Sequence, residues 1–213
     1  MNIGILGSGA VGQSLGLGFL RNGHTVKIAT REPSKLTDWL AKAGANASVG
    51  SFEETARFGE MLVLCTKWVG TENAIQLAGK QNFDGKILID VTNPLLFLQE
   101  GKAPKMAVGY PDSAGALVQK WLPKAKVVKA FNSVPAHYMT NPKLEEGMPD
   151  LFICGNDEAK KKVTEIAASW GWSSINDMGG IEDAYLLEAL AMTWILYGFR
   201  NNHWMHAFKL LRK

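Results

Sequence analysis

The sequence predicts an α/β fold with a doubly wound, mostly parallel sheet. Short apolar segments alternate with helical segments through most of the 213 residues. The apolar segments lack the polar alternation of half-exposed strands, so they indicate strands that are buried on both faces. A glycine-rich turn, Gly7 to Gly12, links the first strand to the first helix. Such alternation requires right-handed crossovers between parallel strands.

Local signals define the elements of the N-terminal half. Gly23 is expected to end the first helix in a left-handed conformation, and Pro33 suits the first turn of a second helix that stops at Gly44. Ser51 and Glu54 form a capping-box pattern for a third helix. The predicted strands are 3–6, 26–29, 47–49, 61–65 and 86–90, and the predicted helices are 10–22, 33–43, one that begins after Ser51, and 71–77.

The C-terminal half begins with an irregular stretch, residues 98–112, which is rich in Gly, Pro and Lys. A loop of that length inside a compact domain is often functional. Ser113 and Asp157 are the expected N-caps of two further helices, which end near Trp121 and Trp170. Further strands are predicted at 126–130, 150–154 and 172–175.

Residues 182–199 are helical in composition and apolar nearly all round. A helix that is apolar on every face must be buried. Burial against a second copy of the chain is the preferred interpretation, which predicts a homodimer, and packing on the sheet is the alternative. We therefore divide the chain into an α/β domain, residues 1–177, and a C-terminal helical segment for packing or dimerisation, residues 178–213.

The composition excludes several classes of protein. Hydrophobic residues make up 46% and charged residues 20% of the chain, as in ordinary globular proteins. The net charge is +3, without a basic stripe interleaved with aromatics, so no nucleic-acid partner is expected. No uninterrupted apolar run is long enough to span a membrane.

Cys65 and Cys154 each end a strand-like segment and are expected to be reduced thiols in the cytoplasm. Neither a zinc spacing nor a nucleophile-elbow motif is present, so no metal site or hydrolase activity is predicted.

The glycine-rich turn has the spacing of a dinucleotide-binding loop. In its context, between a strand and a helix, the G-x-G-x-x-G pattern predicts a Rossmann-type domain over residues 1–177. The first glycine permits the tight turn, the second lets a pyrophosphate approach the backbone, and the third lets the helix pack on the strand. The N–H groups and dipole of the helix then favour phosphate. The expected cofactor-binding residues here are Gly7, Ser8, Gly9, Ala10, Val11 and Gly12.

The end of the second strand predicts which dinucleotide is bound. Sites for NAD usually place Asp or Glu there, to bind the ribose 2′-hydroxyl. This chain has Thr30 and Arg31, followed by Ser34 and Lys35, which are two hydroxyls and two cations suited to a 2′-phosphate. Glu32 is expected to point away. The sequence therefore predicts NADP(H) rather than NAD(H).

Residues that follow the later strands should also contact the cofactor, because ligands of such sheets bind at the carboxyl ends of the strands. Asn93 and Asn132 are candidates for bonding the nicotinamide amide or ribose, and a role in turns is the alternative for each. The candidates after the fourth, fifth and sixth strands are Cys65, Thr66, Lys67, Asn93, Pro94, Phe131 and Asn132.

With these residues in place, the sequence resembles the F420-dependent NADP oxidoreductase family, and it is also similar to the cytosolic NADPH-binding domain of six-transmembrane metalloreductases. The resemblance covers most of the chain. It rests on 3–12, Thr30-Arg31-Glu32-Pro33, Asp90-Val91-Thr92-Asn93-Pro94, Val127-Val128-Lys129-Ala130-Phe131-Asn132, Ile153-Cys154-Gly155-Asn156-Asp157, Asp177-Met178-Gly179, Glu188-Ala189-Leu190 and Phe208-Lys209-Leu210-Leu211.

The resemblance implies an NADP-dependent oxidoreductase that transfers a hydride between NADP(H) and a flavin-like or deazaflavin (F420) acceptor. The implied acceptor lies over the nicotinamide, near Asn132 to Pro135 and the loop after the fourth strand. That loop carries Lys67 where the soluble F420-dependent pattern typically has proline. Two alternatives stay open: reduction of a small carbonyl or imine, and a non-catalytic module that senses NADPH.

Hydride transfer between two bound rings requires positioning and exclusion of water more than acid–base chemistry. We therefore predict no essential catalytic side chain. His137, which follows the sixth strand, is the one weak candidate. Residues 98–112 are a candidate lid, with Gly101 and Gly109 as hinges and Lys102 and Lys105 facing an anionic acceptor.

Overall fold

A computed structural model describes residues 1–211 of the chain. Its strands are β1 (Asn2–Leu6), β2 (Thr25–Ala29), β3 (Ala47–Gly50), β4 (Met61–Leu64), β5 (Ile87–Asp90), β6 (Leu95–Leu96), β7 (Lys105–Met106), β8 (Lys126–Lys129), β9 (Leu151–Gly155) and β10 (Ile175–Asp177). Its α-helices are α1 (Ala10–Arg21), α2 (Thr37–Ala43), α3 (Phe52–Phe58), α4 (Thr71–Ala78), α5 (Ala114–Trp121), α6 (Asp157–Ser169) and α7 (Ala184–Asn201).

The main sheet has the strand order β10-β9-β8-β5-β4-β1-β2-β3. The chain runs outward from β1 to β3, then returns to the other side of β1 and continues through β4, β5 and β8. The direction of winding therefore reverses between β1 and β4, and the cleft at their carboxyl ends is where such sheets bind ligands. The predicted Rossmann-type, mostly parallel fold is confirmed.

Helices cover both faces of the sheet, as the continuous apolar strands predict. One buried cluster joins strand residues such as Ile5 and Ile28 to Phe19 of α1 and Val163 of α6. A second cluster, on the opposite face, packs Leu62 and Leu88 against α3, α4 and α5. The sheet is thus a rigid platform whose carboxyl edge carries the loops of the site.

Two strands depart from the common direction: β9 pairs antiparallel with β8, Val128 opposite Gly155, and β10 pairs parallel with β9. The connection over residues 130–150 contains one short 3₁₀ turn, Ala136–Tyr138, and no α-helix. A parallel pairing needs a crossover that returns the chain to the amino edge, and this connection stays at the carboxyl edge. The lack of a helical pattern between the predicted strands at 126–130 and 150–154 is the sequence feature that corresponds to this reversal.

Several predicted boundaries differ from those of the structure. Asn156, rather than Asp157, is the N-cap of α6, since its side-chain oxygen accepts from the Ala159 N–H at 3.0 Å. The last strand is β10, later than predicted, because Trp172 is buried and its indole N–H donates to the Met139 carbonyl. The stretch 98–112 is partly regular, since β7 pairs antiparallel with β6. The helix expected from Pro33 begins as a 3₁₀ turn before α2.

The C-terminal helix α7 buries one face and exposes another. Ala184 and Leu187 pack on Cys154 of β9, whereas Leu186, Leu196 and Tyr197 are exposed. The helix is thus not enclosed all round by its own chain, and its predicted burial against a second copy stays a prediction. The predicted domain boundary after residue 177 coincides with the end of β10 and stays a prediction. The last two residues of the predicted C-terminal segment lie outside the described range.

Within residues 1–211, no helix combines the length and apolar character needed to cross a membrane.

Candidate functional site

The turn after β1 has the geometry that its glycines predict. Gly7 adopts φ 135°, a conformation that residues with a side chain rarely take. A Cβ on Gly12 would collide with the Gly7 carbonyl oxygen, so α1 packs directly against the turn. Gly9 is the N-cap of α1, and a Cβ there would meet no atom within 4 Å. The open space above Gly9 faces the unpaired N–H groups of α1, which makes this loop an anion cradle.

A first cavity, of about 350 Å³, lies at the carboxyl edge beside this loop. The loops after β1, β2 and β4 form its walls, and residues of α4 such as Asn73 and Leu77 close one end. Most of the predicted cofactor residues meet here, although they come from distant parts of the sequence: Gly7, Ser8, Gly9, Thr30, Arg31, Lys35, Cys65, Thr66 and Lys67. The lining includes both the glycine turn and the end of β2, the two parts of this fold that a dinucleotide contacts.

The loop after β2 differs in detail from its predicted arrangement. Glu32 lines the first cavity instead of pointing away, and its carboxylate pairs with the Lys35 ammonium at 2.7 Å. The hydrogen bond and charge of Lys35 hold the pKa of Glu32 below its ordinary value. Arg31 is exposed, and within residues 1–211 its guanidinium has no ion pair, so it is available for a phosphate at the end of β2. Ser34 does not line the cavity.

Thr30 contributes to the shape of the same loop. It is buried, and its hydroxyl accepts from the Glu32 N–H at 3.1 Å and donates to the Glu32 carbonyl. The hydroxyl therefore holds the turn that presents Arg31. The predicted contact of this hydroxyl with the 2′-phosphate stays a prediction.

A second cavity, of about 550 Å³, adjoins the first. The two share Gly9, Cys65, Thr66, Lys67 and Val69 in their walls, so they lie side by side, and together they are called the cleft. The walls of the second cavity are more apolar, with Trp68 stacked on Trp121 at a ring-centroid distance of 5.6 Å. The further lining residues are Ala10, Val11, Trp68, Val91, Thr92, Asn93, Leu95, Leu96 and Phe97. Such a site suits a planar, mostly apolar ring.

Cys65 lies where the two cavities meet, but its thiol is not activated. Burial raises the pKa of the Cys65 thiol to about 12, so the sulfur is protonated at neutral pH. The thiol is directed toward the carbonyls of Leu6 and Gly7 at 3.6 and 3.5 Å. Cys65 therefore supports the glycine turn and does not supply a nucleophile.

Asn93 lines the second cavity, and Asn132 holds it there. The Asn93 amide donates to the Asn132 carbonyl at 2.8 Å, and the Asn132 amide donates to Asn93 Oδ1 at 2.9 Å. The Asn132 amide also donates to the Leu187 carbonyl of α7 at 3.0 Å. Asn132 is buried, and it is not among the cavity-lining residues. It acts on the site through Asn93, as a positioning residue.

Two other predicted residues serve the framework of the site. Phe131 is buried in the core against Trp170 and Trp172 and does not line either cavity. Its backbone has φ 61°, which turns the chain sharply after β8 and directs the ring inward. Pro94 is also buried, and its carbonyl accepts from the Ala107 N–H at 2.7 Å, which fastens the β6–β7 hairpin beside the second cavity. Direct cofactor contacts are therefore not expected from Phe131 or Pro94.

A buried cluster of three charged side chains, Asp90, Lys129 and Glu188, lies beneath the site and was not predicted from the sequence. The Lys129 ammonium lies 2.7 Å from Asp90 Oδ2 and 2.8 Å from Glu188 Oε1, and all three side chains are fully buried. Burial alone would lower the pKa of Lys129, but the charges of Asp90 and Glu188 more than offset it and raise that pKa. Glu188 also accepts from the N–H groups of Ala114 and Gly115 at the start of α5.

The same lysine orders the wall of the second cavity. Lys129 donates to the Thr92 carbonyl at 2.7 Å, and Asp90 accepts from the Thr92 N–H and hydroxyl. The cluster therefore ties β5, β8, α5 and α7 together just below Asn93. The sequence does contain a signal for this cluster, because Asp90, Lys129 and Glu188 lie in otherwise apolar segments. Charged side chains in such places are rarely buried unless they are paired.

His137 lies away from the cleft. It borders a separate cavity with Ser14, Arg21 and Thr140, on the far side of α1, and burial lowers its pKa below the ordinary value. Within the described residues, no group of three or more His, Cys, Asp or Glu side chains is arranged to hold a metal ion. The structure offers no role for His137 at the two joined cavities.

Comparison with known proteins agrees with this geometry. Residues 2–94 match the family model for NADP oxidoreductase, coenzyme F420-dependent. A crystal structure from Arthrobacter sp. FB24, provisionally assigned as an F420-dependent NADP reductase, superposes over 100% of both chains with a TM-score of 0.93 and 32% identity. The chain belongs to the family of F420-dependent NADP oxidoreductases. It is an NADP-dependent oxidoreductase, as the sequence predicted.

Two further relatives of this family member differ in length from one another. The F420-dependent NADP reductase of Methanocaldococcus jannaschii is 28% identical over 201 residues, which are 89% of each chain. The metalloreductase STEAP3 of Rattus norvegicus is 29% identical over 192 residues, 89% of this chain. The chain spans only 36% of the length of that metalloreductase.

Proposed function

We propose that the chain transfers a hydride between NADP(H) in the first cavity and a flavin-like or deazaflavin acceptor, such as F420, in the second. The observation that carries the proposal is that the two cavities adjoin and share Gly9, Cys65 and Thr66 in their walls. A dinucleotide that has its adenosine beside Arg31 and its pyrophosphate over Gly9 would extend its nicotinamide into the second cavity. An acceptor ring held there would lie against the nicotinamide.

The side chains of this site supply position and exclude water. Trp68, Leu95 and Phe97 form apolar walls, and Thr92 and Asn93 supply polar groups that are held fixed from below. When bound, NADPH supplies the hydride itself. Such a transfer gains most from a fixed approach of the two rings, so no acid or base is required of the protein.

A panel of acceptors tests the proposal. NADPH oxidation is followed by loss of its absorbance in the presence of F420, FMN, FAD, quinones, ferric chelates, or a small imine or ketone. We expect turnover with at least one deazaflavin or flavin and none with the imine or ketone. Tight NADPH binding without oxidation by any acceptor would instead favour the NADPH-sensing module and contradict the proposal.

Arg31 is the residue we expect to select NADP(H) over NAD(H). Its guanidinium is free to bind the 2′-phosphate, whereas Lys35 is already paired with Glu32. Replacing Arg31 by Ala should weaken NADPH binding by about 10- to 100-fold, because a charge-assisted hydrogen bond to phosphate is lost. Binding of NADH, which lacks that phosphate, should be unchanged. Calorimetric titration of both nucleotides measures the difference.

The control for Arg31 is Arg57→Ala, because Arg57 pairs with Glu53 on α3 and does not line the cleft. That variant should bind both nucleotides like the unmodified protein. Equal losses of NADPH and NADH affinity in the Arg31 variant would show that Arg31 does not read the 2′-phosphate.

We further propose that the exposed face of α7, which includes Leu186, Leu196 and Tyr197, packs against a second copy of the chain. An uncovered apolar helix face of this kind typically marks an interaction surface. The mass in solution, measured by light scattering, distinguishes a dimer from a monomer. A cytoplasmic location is also part of the proposal, supported by the two cysteines, Cys65 and Cys154, which are unpaired thiols.

The segment 98–112 is proposed as a cover for the acceptor. Its first residue, Leu98, is 66% exposed, and the neighbouring Phe97 lines the second cavity while remaining 60% exposed. Apolar side chains in that position would gain burial against a bound ring. Gly101 and Gly109 are the proposed hinges, since open space surrounds both.

A further inference from the structure

Lys67 is a cation without a partner at the centre of the cleft. It is exposed, it borders both cavities, and within residues 1–211 its ammonium makes no hydrogen bond or ion pair. Arg31 is likewise unpaired but lies at the adenosine end of the first cavity, and Lys35 is paired with Glu32. Lys67 is therefore positioned to serve a different part of the ligand from these two residues.

The backbone of Lys67 is fixed although its side chain is free. Its carbonyl accepts from the Gly70 N–H at 2.9 Å and from the Thr71 hydroxyl at 3.2 Å. Two residues earlier, Cys65 lies against the glycine turn, where a Cβ on Gly7 would be 2.7 Å from the Cys65 carbonyl oxygen. The backbone of Lys67 is thus held beside the turn, and its flexible side chain is free to move toward a ligand above Gly9.

The glycine turn itself carries no formal positive charge. Residues Gly7 to Gly12 include no Lys or Arg, and the first turn of α1 has no acidic residue. N–H groups and the helix dipole supply partial charges equivalent to about half an elementary charge. A doubly charged pyrophosphate over Gly9 is left largely uncompensated by the turn, and Lys67 is the adjacent full charge.

We propose that Lys67 closes over the pyrophosphate of NADP(H), as a cationic clamp opposite the glycine turn. The inference rests on the proposed binding of NADP(H) in the cleft. It assigns a binding role to a side chain that the dinucleotide motif does not include. Two other roles make different predictions: a contact with the nicotinamide ring, and a contact with an anionic group on the acceptor.

The test compares cofactor fragments in the unmodified protein and in Lys67→Gln. Dissociation constants are measured by calorimetry for NADPH, NADP⁺ and adenosine 2′-monophosphate, which lacks the pyrophosphate. A pyrophosphate clamp predicts that NADPH and NADP⁺ weaken equally, by about tenfold, because one charge-assisted hydrogen bond is lost. Affinity for adenosine 2′-monophosphate should not change. Lys67→Arg should restore most of the NADPH affinity.

Lys80→Gln is the matched control, because Lys80 is an exposed lysine beyond the end of α4 that does not line the cleft. It should leave all three constants unchanged, and thermal unfolding should be the same in both glutamine variants. A larger loss for NADPH than for NADP⁺ would place Lys67 at the nicotinamide ring and overturn the clamp. Unchanged affinity for NADPH and NADP⁺, together with a KM that rises for FMN but not for riboflavin, would also overturn the clamp. That result would place Lys67 at an anionic group of the acceptor. Failure of the unmodified protein to bind NADPH would instead refute the proposed function.

Discussion

Replacing Lys129 by Met should lower the free energy of unfolding by about 3–5 kcal/mol. The substitution leaves the carboxylates of Asp90 and Glu188 buried, adjacent and without their shared cation. It also removes the donor to the Thr92 carbonyl, so the wall of the second cavity should loosen. Urea unfolding measures the stability, and the affinity for NADPH measures the effect on the site.

Lys126→Met is the matched control on the same strand. Lys126 is partly exposed and pairs at 2.7 Å with Glu158, whose side chain is 76% exposed, so its loss should cost less than about 1 kcal/mol. A triple variant tests the cause of this loss. Adding Asp90→Asn and Glu188→Gln to Lys129→Met removes the two unpaired buried carboxylates. It should recover part of the stability, because neutral groups are less costly to bury. A loss below about 1 kcal/mol for Lys129→Met alone would show that the cluster is not a structural centre.

Gly9→Val should abolish most NADPH binding while the protein stays folded. A side chain at Gly9 meets open space in the structure, and the backbone φ of −75° is accessible to any residue. The added methyl groups would occupy the space that the pyrophosphate needs above the N-terminus of α1. We expect NADPH affinity to fall on the order of a hundredfold, with unchanged unfolding in urea.

Gly12→Ala provides the contrasting variant in the same motif. Its Cβ would collide with the Gly7 carbonyl, so the turn and α1 must separate. Stability and NADPH binding should therefore both fall, whereas Gly9→Val affects binding alone. If Gly9→Val binds NADPH normally, the pyrophosphate does not approach this part of the backbone. The proposed orientation of the cofactor would then be wrong.

Local signals explain why so much of the fold was predictable. The capping box of Ser51 and Glu54 forms as expected, with both hydrogen bonds present at the start of α3. Such signals lie within four residues of one another, and the apolar strands are recognised from their own composition. The glycine spacing likewise encodes a turn and a helix start that are contiguous in the sequence. Because these signals are local, the loops that border the first cavity could be identified from the sequence before the structure was known.

The placement of Glu32 and Asn132 depends on contacts that residue types alone do not reveal, local ones for Glu32 and long-range ones for Asn132. Glu32 lines the cavity because the turn held by Thr30 directs it toward Lys35. Asn132 is turned to Asn93 and Leu187, which are 39 and 55 residues away. A pattern of residue types cannot distinguish an amide that binds a ligand from one that orders a neighbouring loop. Both need the same donors and acceptors at the end of a strand.

The amino-acid sequence by itself determined the Rossmann-type architecture, the NADP(H) motif and the loops that meet at the carboxyl edge, because each follows from short-range periodicity and glycine geometry. Only the tertiary structure decided the reversal of β9, the burial of Lys129 between Asp90 and Glu188, and the freedom of Lys67. Those features depend on which charges and hydrogen-bonding groups come within contact distance after folding. Segments far apart in the chain supply them, and no local pattern records their approach.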